Sequence, residues 1–142
     1  MAVSVSLLAS GSRGNSAVVA SSTTRILVDA GLSCRDTFKR VRALGDRPEH
    51  LSAILITHEH SDHVAGLQRL ANKLDAPVFL TEPTHHAWNR NMRDQEGKTP
   101  ELRKVVHFAS GRKFQVGDIA VMPFTIPHDA PIRWASRSAP RA

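Results

Sequence analysis

Between Ile54 and Leu67 the chain reads ILITHEHSDHVAGL, which gathers His58, His60, Asp62 and His63 directly behind an apolar run. Titratable side chains at that density make a poor core and serve no purpose on an ordinary surface turn. A single histidine is usually just a satisfied surface or core residue. Four ligand-type residues in one register need another reason. At the end of an extended run, residues two apart point to the same side, so the imidazoles of His58 and His60 face together. Asp62 and His63 fall where a helix would begin, and there the chain turns their side chains back toward the same volume. Neutral imidazoles with a carboxylate suit zinc, and also manganese or iron where oxygen ligands are added. His58-Glu59 opens like the helical HExxH protease motif, but the fifth position is Asp62 and the residues before it are β-forming. Glu59 points away from His58 and His60 in extended backbone and is not counted as a ligand.

The elements that must position this cluster can be read around it. Val3, Val5 and Leu7 alternate with serine and predict a first strand, followed by the Gly-rich turn Ser10 to Ser16. Ala17 to Ala20 and Arg25 to Asp29 predict two more strands around a polar SSTT turn. Ser33 is a candidate N-cap for a helix from Cys34 to Leu44, stopped by Gly45 and Pro48. Ala53 to Thr57 is a short β run leading into the cluster. Val64, Leu67, Leu70, Ala71 and Leu74 carry helical spacing behind it. Pro77 to Leu80 predicts a strand, Thr84 to Gln95 a more polar helix, and Val105 to Phe108, Lys113 to Val116 and Ile119 to Phe124 three further strands. Strands outnumber helices and several are sequence neighbours, which predicts a sheet-rich α/β domain rather than a strictly alternating one.

Composition sets the outer limits. A chain of 142 residues supports one domain with a real core. Its 41% hydrophobic and 23% charged content is that of a globular protein rather than a disordered one. The formal charge of +6 suits a polyanionic partner such as nucleic acid without identifying one. Cys34 is the single cysteine, which excludes an intramolecular disulfide and a cysteine zinc cluster and reads as a small buried hydrophobe. The N-terminus has no basic segment and alternates apolar residues with serine, so a strand is expected there rather than a signal peptide. No apolar run reaches the length of a membrane span. A cytoplasmic protein without membrane contact is expected.

With these residues in view, the pattern HxHxDH at His58 to His63 resembles the signature of the metallo-β-lactamase-fold hydrolases. LLASGSRGNS, LVDAGLS, AILITHEHSDHVAGL and IPHDA together resemble the WalJ (YycJ)-type subgroup of that family, whose members are bacterial DNA exonucleases. The resemblance implies an αββα sandwich holding divalent metal, two zinc or manganese ions in the complete site. It implies that His58, His60 and His128 hold the first metal and that Asp62 and His63 belong to the second and take part in catalysis. Asp29 would brace the metal loop and Asn15 would stand near the site. The implied reaction is phosphodiester hydrolysis by a metal-activated water, with DNA as substrate. The neighbouring Gly-rich turn lacks the GK[ST] of a P-loop, and a plain tight turn is as good a reading of it as a phosphate cradle. His50, His107 and the pair His85-His86 fall outside the matched motifs and are read as structural, the pair on a solvated helix face.

The chain also departs from that family, whose members are roughly twice as long. The resemblance therefore covers the N-terminal part of the sandwich, residues 1–130, as a truncated fold. The aspartate that bridges the metals and a further histidine of the second site have no counterpart here. Residues 131–142 lack periodicity and are expected to be an out-of-frame or non-family tail. Codons for Pro131 to Ser136, read two bases later, permit the Asp-Pro-Val-Gly-Phe sequence with which the subgroup continues. Half a sandwich leaves apolar faces uncovered, so weak activity and poor solubility are expected. Two other functions stay open on sequence grounds: hydrolysis of a small ester, thioester or lactam, and a non-catalytic metal- or nucleic-acid-binding fragment.

Overall fold

The computed structural model describes residues 2–93 and 95–124. Eight strands and four α-helices alternate in the order β1 (Ser4–Ala9), β2 (Ser16–Ala20), β3 (Arg25–Val28), α1 (Cys34–Ala43), β4 (Ala53–Leu55), α2 (Ser61–Val64), α3 (Leu67–Leu74), β5 (Val78–Leu80), α4 (Glu82–Asn91), β6 (Val105–His107), β7 (Phe114–Val116) and β8 (Ile119–Val121), among the described residues. A six-stranded sheet follows chain order from β1 to β6, and β7 and β8 form a separate two-stranded sheet. The strands β1, β2 and β3 are antiparallel neighbours, whereas β3 through β6 run parallel. Parallel neighbours need crossovers, and the helices α1 to α4 lie in those connections.

Adjacent residues of the central strands serve opposite faces. Leu27 and Ile54 join Val41, Leu67, Leu70 and Trp88 in a core beneath the helices. Their neighbours Ile26, Ala53 and Leu55 pack with Val116, Ile119 and Val121 from the β7–β8 hairpin. Burial on both sides explains why these strands read as unbroken apolar runs rather than as alternating ones. The layers are therefore helices, a six-stranded sheet and the start of a second sheet. This is the α/β arrangement expected for the N-terminal part of an αββα sandwich.

Several boundaries differ from the sequence reading. The helix expected from Thr84 to Gln95 runs instead over Glu82–Asn91, because Thr81 caps it by accepting from the Thr84 backbone N–H, with proline in the first turn. The helical spacing from Val64 to Leu74 is divided into α2 and α3. The break falls at Gly66, whose N–H donates to the Ala30 carbonyl at 2.8 Å. The strand expected over Ala53–Thr57 ends at Leu55, since Thr57 is drawn into side-chain hydrogen bonds. His85 is not on a purely solvated face: it is half-buried, with Nδ1 2.9 Å from Nε2 of His107 on β6. Ser33 caps α1 as its sequence position predicted, accepting from the Asp36 N–H at 3.1 Å. Cys34 is half-buried, and its burial pushes the thiol pKa up despite nearby Lys73 and Arg69. His128 and the tail from Pro131 lie outside the described residues.

Candidate metal centre

The histidine loop leaves the C-terminal end of β4 and enters α2, at the edge of the parallel sheet where such folds form their sites. His58 is buried, Asp62 and His63 are half-buried, and His60 is exposed. The rings of His58 and His60 stand edge to face with centroids 4.6 Å apart, and those of His58 and His63 are 3.8 Å apart. Asp62 Oδ2 lies 3.6 Å from His63 Nε2. All four described members of the sequence cluster are thus neighbours.

Asp29 organises the loop from below. It is 5% exposed and follows β3 with φ of 62°, a left-handed conformation that few non-glycine residues adopt. That turn lets its N–H donate to the Leu55 carbonyl at 2.7 Å while the carboxylate reaches across to the loop. His63 Nδ1 lies 2.6 Å from Asp29 Oδ2. A carboxylate only accepts, so the hydrogen sits on Nδ1 and Nε2 is turned toward Asp62. The same carboxylate accepts from the Thr57 N–H at 2.8 Å and from the Thr57 hydroxyl at 2.8 Å. Having given its hydrogen to Asp29, Thr57 Oγ1 is left to accept from His58 Nδ1 at 2.9 Å. One buried carboxylate therefore sets the ring orientation and tautomer of two histidines. The sequence reading named Asp29 but missed Thr57, whose only signal was its place immediately before His58.

The backbone closes around the loop as tightly as the side chains do. Ala30 N–H donates to the His63 carbonyl at 2.8 Å, and Asn15 N–H to the Asp62 carbonyl at 2.7 Å. The Asn15 amide also donates to Asp62 Oδ2 at 2.9 Å and to the Gly11 carbonyl at 2.8 Å. Asn15 thus ties the Gly-rich turn to the proposed ligand Asp62. A Cβ at Gly31 would overlap the Asp62 carbonyl oxygen, and one at Gly66 would overlap the carbonyl of Leu32. These are positions where two backbones meet and glycine alone fits.

The donor set is three imidazoles and a carboxylate, with two of the imidazoles oriented through their Nδ1 atoms, and this chemistry suits a divalent cation. Among the described residues, no three of the His, Cys, Asp and Glu side chains already close on one cation-sized point. The remaining candidate ligand from the sequence, His128, lies outside those residues. The glycines of the turn before Asn15 present no lysine in the manner of a P-loop.

Comparison with known proteins places the chain. Residues 9–134 match the model of the Metallo-beta-lactamase superfamily. The chain is 40% identical over 125 residues to the exodeoxyribonuclease WalJ of Streptococcus pneumoniae serotype 2, covering 88% of this chain and 45% of that protein. It is 42% identical over 130 residues to the exodeoxyribonuclease YycJ of Bacillus anthracis, covering 92% of this chain and 47% of that protein. The chain thus spans about half the length of the curated relatives it matches. A subclass B3 metallo-β-lactamase of Bradyrhizobium japonicum shares the fold with a TM-score of 0.73 at 18% identity, over 90% of this chain and 51% of that one. The chain belongs to the metallo-β-lactamase superfamily.

Proposed function

We propose that this chain is part of a metal-dependent phosphodiesterase acting as an exonuclease on DNA. The observation that carries the reading is the 40–42% identity to two exodeoxyribonucleases across nearly the whole chain. The braced HxHxDH loop and the charge of +6 support it. In this reading His58, His60 and His128 hold one divalent ion, zinc or manganese, and Asp62 and His63 contribute to a second. Bound there, the ion supplies an activated water and polarises a phosphoryl oxygen. The chain's own residues do the positioning. Asp29 and Thr57 hold the Nε2 atoms of His58 and His63 toward the site. Asn15 holds the Asp62 carboxylate. The rigid loop keeps these groups in place without reorganisation as charge develops on the phosphate. No described helix is long and apolar enough to cross a membrane, and we place the protein in the cytoplasm.

The test is release of mononucleotides from a labelled oligonucleotide with manganese or zinc added, for the wild type and for His60→Ala. Slow release by the wild type, abolished by chelator and by the substitution, is the expected result. Hydrolysis of a thioester or lactam with none of DNA would transfer the site to small-molecule chemistry. Metal-independent release unaffected by His60→Ala would remove it altogether.

A further inference from the structure

The outer face of the helix layer carries a second concentration of charge. Helices α1 and α3 bury Val41, Leu67 and Leu70 in the core on the side of the sheet away from the β7–β8 hairpin. In an αββα sandwich the helical layers lie outermost, so the second sheet does not cover this side. Between the two helices runs a groove of about 640 Å³, with half-buried Cys34 and Phe38 in its lining. Arg35 and Arg42 of α1 and Arg69 and Lys73 of α3 complete it, all four exposed, and among the described residues no carboxylate lines it. A hollow of about 400 Å³ adjoins it, sharing Cys34, Arg35 and Arg69 and reaching Val64 and Ala65, the residues that follow His63. The charges converge: Arg69 and Lys73 of α3 both act on the Cys34 thiol of α1, opposing the effect of its burial.

We infer that this groove is a track for the phosphate backbone of DNA leading away from the metal loop, a reading that rests on the DNA substrate proposed above. Helix stability does not account for the charges. Arg42 and Lys73 stand in last turns, where the helix dipole favours a cation, but Arg35 and Arg69 stand in first turns, where it opposes one. Among the described residues none of the four is in an ion pair. Like charges on facing helices repel, and a polyanion laid between them turns that repulsion into attraction. The direction of the track follows from the topology. Both helices run back from the edge of the sheet that bears the histidine loop, so Arg35 and Arg69 lie toward the loop and Arg42 and Lys73 away from it. The seven residues from Arg35 to Arg42 rise about 10 Å, the axial length of about three phosphates of one strand. Cations on helix faces read phosphates and no bases, so the track suits single strands and duplexes of any sequence.

Equilibrium binding of fluorescent single-stranded and duplex oligonucleotides to the whole chain tests this, with chelator present so that no hydrolysis intervenes. The variant is Arg35→Ala/Arg69→Ala, which alters only exposed side chains. Its control is Arg112→Ala/Lys113→Ala, which removes the same charge from exposed residues on the hairpin side. Unfolding curves are recorded for each. The groove variant should bind every oligonucleotide about tenfold more weakly and lose about 1–2 from the slope of affinity against salt, while the control changes little. Cys34, the single cysteine, reports the place directly. DNA at low salt should slow its alkylation several-fold in the wild type and in the control, and much less in the groove variant. If the groove variant binds no worse than the control, or if bound DNA leaves Cys34 alkylation unchanged, the groove is not the track and the DNA reading survives. If the wild type binds no DNA, the DNA reading fails and the track with it.

Discussion

Asp29 makes more of the contacts that hold the histidine loop than any of the proposed ligands does, and substitution separates its two roles. Asparagine tolerates the left-handed backbone at φ 62° but loses the charge that fixes the His63 hydrogen on Nδ1. Asp29→Asn should therefore fold and bind a divalent ion about 10–100-fold more weakly, measured by competition with a chromophoric chelator. Thr57→Val keeps the shape of the side chain and removes the hydroxyl between Asp29 and His58. It should lower stability by about 1–3 kcal/mol in denaturant unfolding, because the buried carboxylate loses one donor and His58 Nδ1 its acceptor. The grouping of His58, His60, Asp62 and His63 was legible in the sequence because residue types that suit metal ligation stand out at such close spacing. Thr57 was not, since a threonine ending a β run looks the same whether its hydroxyl faces a carboxylate or water. The left-handed turn at Asp29 was equally hidden, as no glycine marks it.

At the scale of elements, the loop is held by close backbone contact rather than by helix length, since α2 has only 4 residues. Gly31→Ala places a methyl group on the Asp62 carbonyl and should destabilise the fold by about 3 kcal/mol, seen as a lowered denaturation midpoint, with metal affinity falling in parallel. The link between α4 and β6 answers to pH. Burial, then the neighbouring His107 and His86, hold the His85 pKa below the usual histidine value. The unfolded chain therefore takes up this proton at a higher pH than the folded chain does. The stability linked to His85 is complete above about pH 6.5 and declines as the pH falls through that value toward the lowered folded pKa. Melting temperatures of wild type and His85→Gln should diverge in that direction on acidification, with the variant less sensitive. Most elements were legible from periodicity and caps, Ser33 before α1 among them. The split of α2 from α3 was not, because Val64, Leu67 and Leu70 keep helical spacing across Gly66, and only the Ala30 carbonyl opposite shows why the helix breaks there.

Among the described residues, the second sheet covers only part of the first. Phe114 of β7 packs over Phe79 and Phe108 beside β5 and β6, and β8 lies against Val19, Ile26, Val28 and Leu55 of β2 to β4. On β1, Val5 and Leu7 remain 68% and 66% exposed. Their alternation with serine, the plainest strand signal in the sequence, marks a face built for burial. Such a surface promotes association. Sedimentation should show concentration-dependent self-association, reduced by Val5→Ser/Leu7→Ser with little change in unfolding. The boundary near Ala130 remains our proposal, and the gene's nucleotides test it: read two bases later, they should continue as an open α/β coding stretch. The central claim is narrower, that the loop of His58, His60, Asp62 and His63 braced by Asp29 holds a divalent ion. Elemental analysis of the purified chain, alongside a His58→Ala/His60→Ala variant, tests it most directly. Bound zinc or manganese in the wild type and its loss in the variant is the predicted result; no divalent ion in the wild type, or equal content in both, would contradict it.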